Sequence, residues 1–170
     1  MAERTGVITF KGGPLTLIGP ELKVGDTAPG FKLLNNSLEE VTLDKFKGKT
    51  LLISVAPSID TPVCSLQAQR FNKEIASLPA GVEVITVTAD LPFAQGRFCG
   101  AEGIKMTTLS DHRDMAFADA YGAHIKELRL DARSIFVVGK DGKIKYTEMV
   151  KEQTDHPNYD EALKAAKANA

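Results

Sequence analysis

The stretch TLLISVAPSIDTPVCSLQAQRF, residues 50–71, decides the fold, because an apolar run meets an amphipathic one there. Thr50 to Pro57 has the length and unbroken hydrophobicity of a strand that is covered on both faces. From Pro62 to Leu78 the apolar residues recur at helical spacing and predict a helix. Cys64 therefore follows the carboxyl end of a central strand, where open α/β sheets collect their sites.

The same two patterns recur along the chain. Residues 6–19, GVITFKGGPLTLIG, alternate around a Gly-Gly pair and predict an N-terminal β-hairpin. Short apolar or β-branched runs predict three further strands, over Val82 to Ala89, Ser134 to Val138 and Lys143 to Val150. Further helices are predicted as a short one over Val41 to Lys49 and longer ones over Phe93 to Gly103, Asp111 to Tyr121 and Tyr159 to Ala168.

The order of these elements predicts an α/β fold in a single domain over residues 1–170. Helical crossovers imply parallel pairing of the strands that they join. The dipeptide Asp141-Gly142 is a strong hairpin signal and adds an antiparallel pair. The expected architecture is a mixed, mostly buried sheet with helices on both faces.

Composition limits the classes of function. The net charge of −1 gives no general basic field for nucleic acid or anionic lipid. No segment approaches the roughly 20 apolar residues that span a bilayer, and the first residues have no signal-peptide pattern. These features predict a cytoplasmic protein with no nucleic-acid or membrane partner. Two cysteines are too few for a disulfide scaffold, so in a reducing compartment they are redox-active or simply buried.

Cys64 stands where a thiolate is stabilised. Proline is favoured at the first helical position, so Thr61 would be the N-cap and Cys64 the third residue of the helix; Asp60 is a rival N-cap. The partial positive charge of a helix N-terminus favours the thiolate, which is the nucleophilic form of cysteine. The alternative is a small core residue, because free cysteine is commonly buried and Cys64 lies on the apolar stripe of the helix.

A reactive thiolate also needs groups that orient its substrate and stabilise charge on the leaving atom. Thr61 and nearby backbone N–H groups are local candidates. Arg133 is the best cation, since an arginine entering a central strand needs an anionic partner. That partner is either the cysteine site or a carboxylate in a structural ion pair. Arg70 lies off the Cys64 stripe and is predicted to be a surface charge.

Cys99 lies among three glycines, Gly96, Gly100 and Gly103. Glycine weakens a helix by about 1 kcal/mol relative to alanine, so this segment should open locally at low cost. A disulfide requires Cα atoms within about 7 Å, and opening could bring Cys99 to Cys64. The two cysteines together suggest a peroxide cycle through a sulfenic acid and a disulfide, which an external dithiol reduces. Otherwise Cys99 is a second buried thiol.

PSIDTPVCSLQ, residues 57–67, resembles the peroxidatic motif of peroxiredoxins, with Pro57, Thr61 and Cys64 at the motif positions. Together with the N-terminal hairpin, GRFCGAEGI and DARSIFVV, it is similar to the bacterial thiol peroxidase subfamily. The resemblance implies a thioredoxin-like fold with an N-terminal β-hairpin extension. It implies a peroxidatic Cys64 and a resolving Cys99 that form a disulfide within one subunit, the atypical two-cysteine arrangement.

The resemblance also implies roles around the sulfur and partners outside the chain. Arg133 would be the active-site arginine, Pro57 would shield the pocket, and Thr61 would hydrogen-bond to the sulfur or the peroxide. The family is typically a homodimer that thioredoxin recycles. It reduces hydrogen peroxide and organic hydroperoxides in antioxidant defence, without a cofactor or a metal.

Two other classes of function use the same residues. A disulfide reductase or isomerase would carry Cys-x-x-Cys, whereas Cys64 is followed by Ser65-Leu66-Gln67. A non-enzymatic redox sensor would need the two cysteines but no turnover. The three histidines are scattered, and neither cysteine has a neighbouring ligand at metal-site spacing.

Overall fold

The computed structural model describes all 170 residues. The strands and α-helices in chain order are β1 (Glu3–Phe10), β2 (Gly13–Ile18), β3 (Lys32–Leu34), β4 (Glu40–Thr42), β5 (Thr50–Val55), α1 (Pro62–Glu74), β6 (Val82–Thr88), α2 (Pro92–Glu102), β7 (Thr107–Ser110), α3 (Ala116–Ala120), β8 (His124–Ile125), β9 (Leu130–Asp131), β10 (Ser134–Val138), β11 (Ile144–Met149) and α4 (Tyr159–Ala168). None of the helices is long and apolar enough to cross a membrane.

The main sheet has seven strands in the order β11-β10-β5-β6-β7-β3-β4. β5, β6 and β7 are parallel, whereas β10 pairs antiparallel with both β5 and β11, so the predicted mixed sheet is confirmed. All six residues of β5 are buried, as its unbroken apolar run predicts. Its carboxyl end therefore lies near the middle of the sheet and leads directly towards Cys64.

The helices cover both faces of this sheet. One core contains Ala68 and Phe71 of α1, Phe98 of α2 and Ala162 of α4. The core on the opposite face includes Phe117 of α3. Successive residues of β5 alternate between the two cores, as a strand between two layers requires.

The predicted N-terminal hairpin is present and turns at Lys11-Gly12, both with positive φ. β1 and β2 continue through β8 and β9 into a separate four-stranded sheet, which the sequence patterns do not predict. This second sheet has its own small apolar core around Ile8 and Leu17. The hairpin is consequently a packed part of the fold.

Three predicted elements differ from the structure. The helix expected over Val41 to Lys49 is the end of β4 followed by a 3-10 turn, Leu43–Phe46. The four-residue strand β7 lies between two helices that the sequence places in succession. α3 begins later than the predicted residue 111, because Met115 adopts a left-handed conformation at its start. The Asp111 carboxylate instead accepts the N–H groups of Phe117 and Ala118.

Candidate active site

The loop between β5 and α1 places Cys64 in the first turn of the helix. Thr61 is the N-cap residue with extended backbone, and Pro62 is the first helical residue, as predicted. Asp60 is therefore not the cap. Cys64 is the third residue of the helix, where unpaired N–H groups and the helix dipole favour negative charge.

Asp90, just beyond the end of the neighbouring strand β6, fixes the shape of this loop. Its carboxylate accepts the Ser58 hydroxyl at 2.7 Å and the Ile59 N–H at 2.8 Å. The Ser58 N–H in turn lies 3.5 Å from Cys64 Sγ, within donating distance of sulfur. A carboxylate on one parallel strand thereby orders the loop that follows the adjacent strand.

Arg133 reaches the sulfur from the start of β10. Its Nη2 donates to Cys64 Sγ at 3.2 Å, and both side chains are buried. Arg133 forms no ion pair with any carboxylate. An unpaired buried cation is costly, and Arg133 Nη2 is therefore placed to stabilise negative charge at the sulfur or on a molecule bound beside it. The structural ion pair that the sequence left open is absent.

Two glutamines hold the guanidinium in place without neutralising it. Gln67 Oε1 accepts from Arg133 Nη1 at 2.8 Å, and the Gln153 carbonyl accepts from Nε at 3.0 Å. The Gln67 amide is itself fixed, since its Nε2 donates to Ser54 Oγ at 2.8 Å and to the Val55 carbonyl at 3.1 Å. Neutral amides orient the cation and leave its full charge for the sulfur and a substrate.

Neither glutamine was predicted from the sequence. Gln67 lies three residues after Cys64, and this helical spacing places it beside the buried stripe. The spacing was a signal from which a role for Gln67 near Cys64 could have been predicted. Gln153 follows β11 in a stretch without periodicity, and nothing in its local sequence indicates the contact with Arg133.

Thr61 lies at the site as expected, but its hydroxyl makes a different hydrogen bond from the one expected. Its hydroxyl donates to the Ser58 carbonyl at 3.1 Å and makes no hydrogen bond to Cys64 Sγ. Although Thr61 is the N-cap residue, its hydroxyl makes no capping hydrogen bond to α1 either. The bond to Ser58 restrains the turn of the loop, and the hydroxyl oxygen retains lone pairs for a bound molecule.

A pocket of about 380 Å³ opens beside this cluster. Pro57, Thr61 and Arg133 all line it, so the structure brings three of the predicted residues to one cavity next to Cys64. Phe10 and Lys11 at the tip of the N-terminal hairpin also line the pocket. A small molecule in the pocket would contact Arg133, whose guanidinium also contacts the sulfur.

Cys99 lies outside this cluster, on α2. It is partly buried, and its Sγ lies 3.5 Å from the Thr108 hydroxyl. Both cysteines are free thiols. An exposed ion pair at 3.6 Å joins Arg97 of α2 to Asp60 of the Cys64 loop, so the two cysteine segments are neighbours.

The glycines around Cys99 have distinct positions. α2 runs unbroken through Gly96 and Gly100 and ends at Gly103, which adopts the left-handed conformation with φ = 64°. A methyl group at Gly100 would meet no atom within 4 Å, so no steric contact requires glycine there. Gly100 therefore weakens the helix without serving its packing.

The remaining charged candidates lie elsewhere. Arg70 bonds Glu74 and Asp160 on the surface, which confirms the expectation of a surface charge. His124 pairs with Asp119, and His156 bonds the Tyr159 hydroxyl. No group of three or more metal-binding side chains is assembled anywhere in the chain.

Comparisons with known proteins identify the family of the chain. A family model described as redoxin matches residues 23–163. The chain is 61% identical over 162 residues to the thiol peroxidase of Bacillus subtilis, covering 95% of this chain and 96% of that protein. It is 57% identical over 162 residues to the thiol peroxidase of Halalkalibacterium halodurans, covering 95% and 97%. A peroxiredoxin-like protein from Aquifex aeolicus superposes with a TM-score of 0.91 at 40% identity, covering 98% of each chain.

Proposed function

The chain belongs to the redoxin family and, within it, to the thiol peroxidases, and on that premise we propose that Cys64 reduces hydroperoxides and that Cys99 resolves the product. The observation that carries the assignment of Cys64 is its contact with Arg133. A buried guanidinium without a carboxylate partner donates to this sulfur at 3.2 Å. The only polar partner of the Cys99 sulfur is the Thr108 hydroxyl.

In the first step the Cys64 thiolate attacks the terminal oxygen of the hydroperoxide. A sulfur–oxygen bond forms, the oxygen–oxygen bond breaks, and its electron pair leaves on the second oxygen. The leaving group is hydroxide from hydrogen peroxide or an alkoxide from an organic hydroperoxide, and it takes a proton from solvent. Arg133 is suited to this step, because its charge stabilises the thiolate and then the negative oxygen that develops beside it.

Pro57 and Thr61 contribute to the same step. Pro57 forms part of the pocket wall and keeps bulk water from the sulfur. The Thr61 hydroxyl, held by the Ser58 carbonyl, accepts a hydrogen bond from the O–H of the bound hydroperoxide and orients it. Together with Arg133 they align the oxygen–oxygen bond with the sulfur.

In the second step the Cys99 thiol attacks the Cys64 sulfenic acid. A sulfur–sulfur bond forms and the sulfenic oxygen leaves as water. α2 has to open for this reaction, since Cys99 rests inside the helix against Thr108. The glycines in α2 make that opening inexpensive.

The disulfide within one chain is returned to two thiols by an external dithiol, for which we propose thioredoxin. The substrates are hydrogen peroxide and organic hydroperoxides, and the working form is a cytoplasmic homodimer that serves in antioxidant defence. Membership of the thiol peroxidases is what supports these proposals.

The test follows hydrogen peroxide and cumene hydroperoxide loss with thioredoxin, thioredoxin reductase and NADPH. We expect many equivalents of peroxide to be consumed per protein. Consumption of a single equivalent with every reductant component present would instead identify a redox sensor. Reduction of a protein disulfide without any peroxide turnover would identify a thiol-disulfide oxidoreductase.

A further inference from the structure

The tip of the N-terminal hairpin is bonded to the segment that follows β11. The Thr9 N–H donates to the Lys151 carbonyl at 2.7 Å, and the Gln153 N–H donates to the Thr9 carbonyl at 2.8 Å. The hairpin lies outside residues 23–163, which the redoxin family model matches. An element outside the matched domain therefore reaches the wall of the site.

One carboxylate, Glu152, ties the two sides of this junction together. From the hairpin it accepts the Thr9 hydroxyl at 2.9 Å, the Lys11 N–H at 3.1 Å and the Gly12 N–H at 2.8 Å. From its own segment it accepts the N–H and the hydroxyl of Thr154 at 2.9 and 2.7 Å. These donors, the backbone N–H of Thr154 and Gly12 first, lower the pKa of Glu152 to about 2. Glu152 has no cationic partner, so it holds the hairpin and its own segment together through hydrogen bonds alone.

The next residue, Gln153, carries the connection to the reacting sulfur. It is buried, and it accepts from Arg133 twice, at its backbone carbonyl from Nε and at its side chain from the backbone N–H. Arg133 then donates to Cys64 Sγ. The hairpin tip is thus hydrogen-bonded to Glu152 and Gln153, which are adjacent in the chain, and Gln153 is hydrogen-bonded to Arg133, which donates to the peroxidatic cysteine.

We propose that Glu152 is a positioning residue of the peroxidatic site, which locks the hairpin tip to Gln153 and thereby holds the Arg133 guanidinium on Cys64. The inference rests on the proposed function, since it concerns how the reacting thiolate is held. Both carboxylate oxygens are used, one for Thr9 and Gly12 and the other for Lys11 and Thr154. An amide has a single acceptor oxygen and can therefore satisfy only one of the two groups.

Charge and position predict opposite results for Glu152→Gln. Removing a negative charge near the site would by itself favour the thiolate and shift its pH profile to lower pH. Loosening Arg133 removes the partner of the thiolate and shifts the profile to higher pH. The direction of the shift therefore separates a positioning role from a simple field effect.

Glu127 offers a matched control. Its carboxylate also accepts a hairpin N–H, that of Thr16, at 2.9 and 3.1 Å. It makes no hydrogen bond to residues 151–154. Glu127→Gln therefore removes the same charge and weakens the same hairpin without touching the connection to Arg133.

The experiment compares wild type, Glu152→Gln and Glu127→Gln in single-turnover oxidation by hydrogen peroxide, and in the pH dependence of Cys64 alkylation by iodoacetamide. For Glu152→Gln we expect oxidation about 10-fold slower and an alkylation profile displaced to higher pH. Glu127→Gln should stay within about twofold of wild type in both. An unchanged Glu152→Gln, a profile displaced to lower pH, or equal slowing in both variants would each overturn the proposal.

Thr9→Val keeps the shape of the side chain and removes only its hydrogen bond to Glu152, so it decides the matter if Glu152→Gln does not fold. It should slow oxidation by about two- to threefold, while Thr9→Ser restores the wild-type rate. Equal rates for Thr9→Val and Thr9→Ser would overturn the proposal. Mass analysis of the oxidised wild type distinguishes failure of the proposed function from failure of the role of Glu152. Absence of Cys64 oxidation contradicts the proposed function. Normal oxidation of the wild type together with an unchanged variant contradicts only the role of Glu152.

Discussion

Cys64 and Cys99 differ in how firmly their surroundings hold the sulfur. Cys64 is held by buried donors, with Arg133 and the Ser58 N–H on its sulfur and Gln67 behind the guanidinium. Cys99 has one hydroxyl contact and lies in a helix that two interior glycines weaken. The difference is consistent with the proposed roles, in which Cys64 is fixed for reaction with peroxide and Cys99 leaves its resting position to reach it.

The largest effect should come from removing the fixed sulfur. Cys64→Ser should lower peroxide turnover by at least about 10³-fold, because a serine hydroxyl is not ionised in this site and is a poor nucleophile towards peroxide. Peroxide loss in the thioredoxin-coupled assay measures it. Retention of wild-type turnover would place the reaction elsewhere and remove the distinction between the two cysteines.

The next largest effect should come from removing the cation of the Cys64 region. Arg133→Met keeps much of the buried volume and should slow the reaction with hydrogen peroxide about 100-fold, because the thiolate and the leaving oxygen lose their charged donor. Stopped-flow measurement of the first oxidation gives this rate directly.

Arg70→Met is the matched control. Arg70 has the same charge and size as Arg133 and lies on α1, but it pairs with surface carboxylates. Its oxidation rate should remain within about twofold of wild type. If both arginine variants slow the reaction equally, the effect of Arg133 is a general loss of stability.

A smaller effect should come from stiffening the Cys99 region. Gly100→Ala adds a methyl group in open space and should stabilise α2 by about 1 kcal/mol, which slows disulfide formation about fivefold. Gly103→Ala should act in the opposite sense, since φ = 64° strains alanine at the end of α2. Rapid-quench mass analysis of the sulfenic acid and the disulfide follows both variants. Equal rates of disulfide formation in the two would show that opening of α2 does not limit the second step.

The smallest effect on either cysteine should come from a buried acid pair near Arg133. Asp131 is fully buried without a hydrogen-bond partner. Burial raises its pKa, and the neighbouring Asp111 raises it further. Burial likewise raises the pKa of Asp111 to about 6. The folded chain therefore holds protons that the unfolded chain releases, so the free energy of unfolding falls as the pH rises above about 4, and for Asp111 this fall extends through about 6.

Asp131→Asn should flatten that decline, which the urea midpoint measured at about pH 4.5 and about pH 7.5 would detect. The rates of Cys64 oxidation and of disulfide formation with Cys99 should stay within about twofold of wild type, because neither acid is a partner of Arg133. An unchanged pH dependence of the midpoint would mean that Asp131 does not hold a proton in the folded chain. A large loss of peroxide reactivity would make them part of the Cys64 region.

Local sequence predicts the residues around Cys64 better than the residues that hold Arg133 in place. The strand, the proline at the helix start and the cysteine in its first turn follow from short-range pattern, and the positions of Pro57, Thr61 and Arg133 around the pocket follow from the family motif. Gln153 and Glu152 were not predicted, because they act through pairing between segments about 140 residues apart, for which one sequence carries no signal.

The misplaced elements have equally local causes. Strand β7 has only four residues, two of them threonine, which gives too short a pattern for a strand to be distinguished from a connection. The start of α3 depends on the left-handed conformation of Met115 and on the Asp111 carboxylate, neither of which is visible in hydrophobic periodicity.

The most direct test of the division of labour between the two cysteines is peptide mapping after one equivalent of hydrogen peroxide, without reductant and under non-reducing conditions. We predict a single linked pair, Cys64 to Cys99, in a chain that migrates as a monomer in a denaturing gel. In Cys99→Ser the same treatment should leave a sulfenic acid on Cys64. A disulfide between two chains, or a sulfenic acid on Cys99 with Cys64 still reduced, would contradict the account.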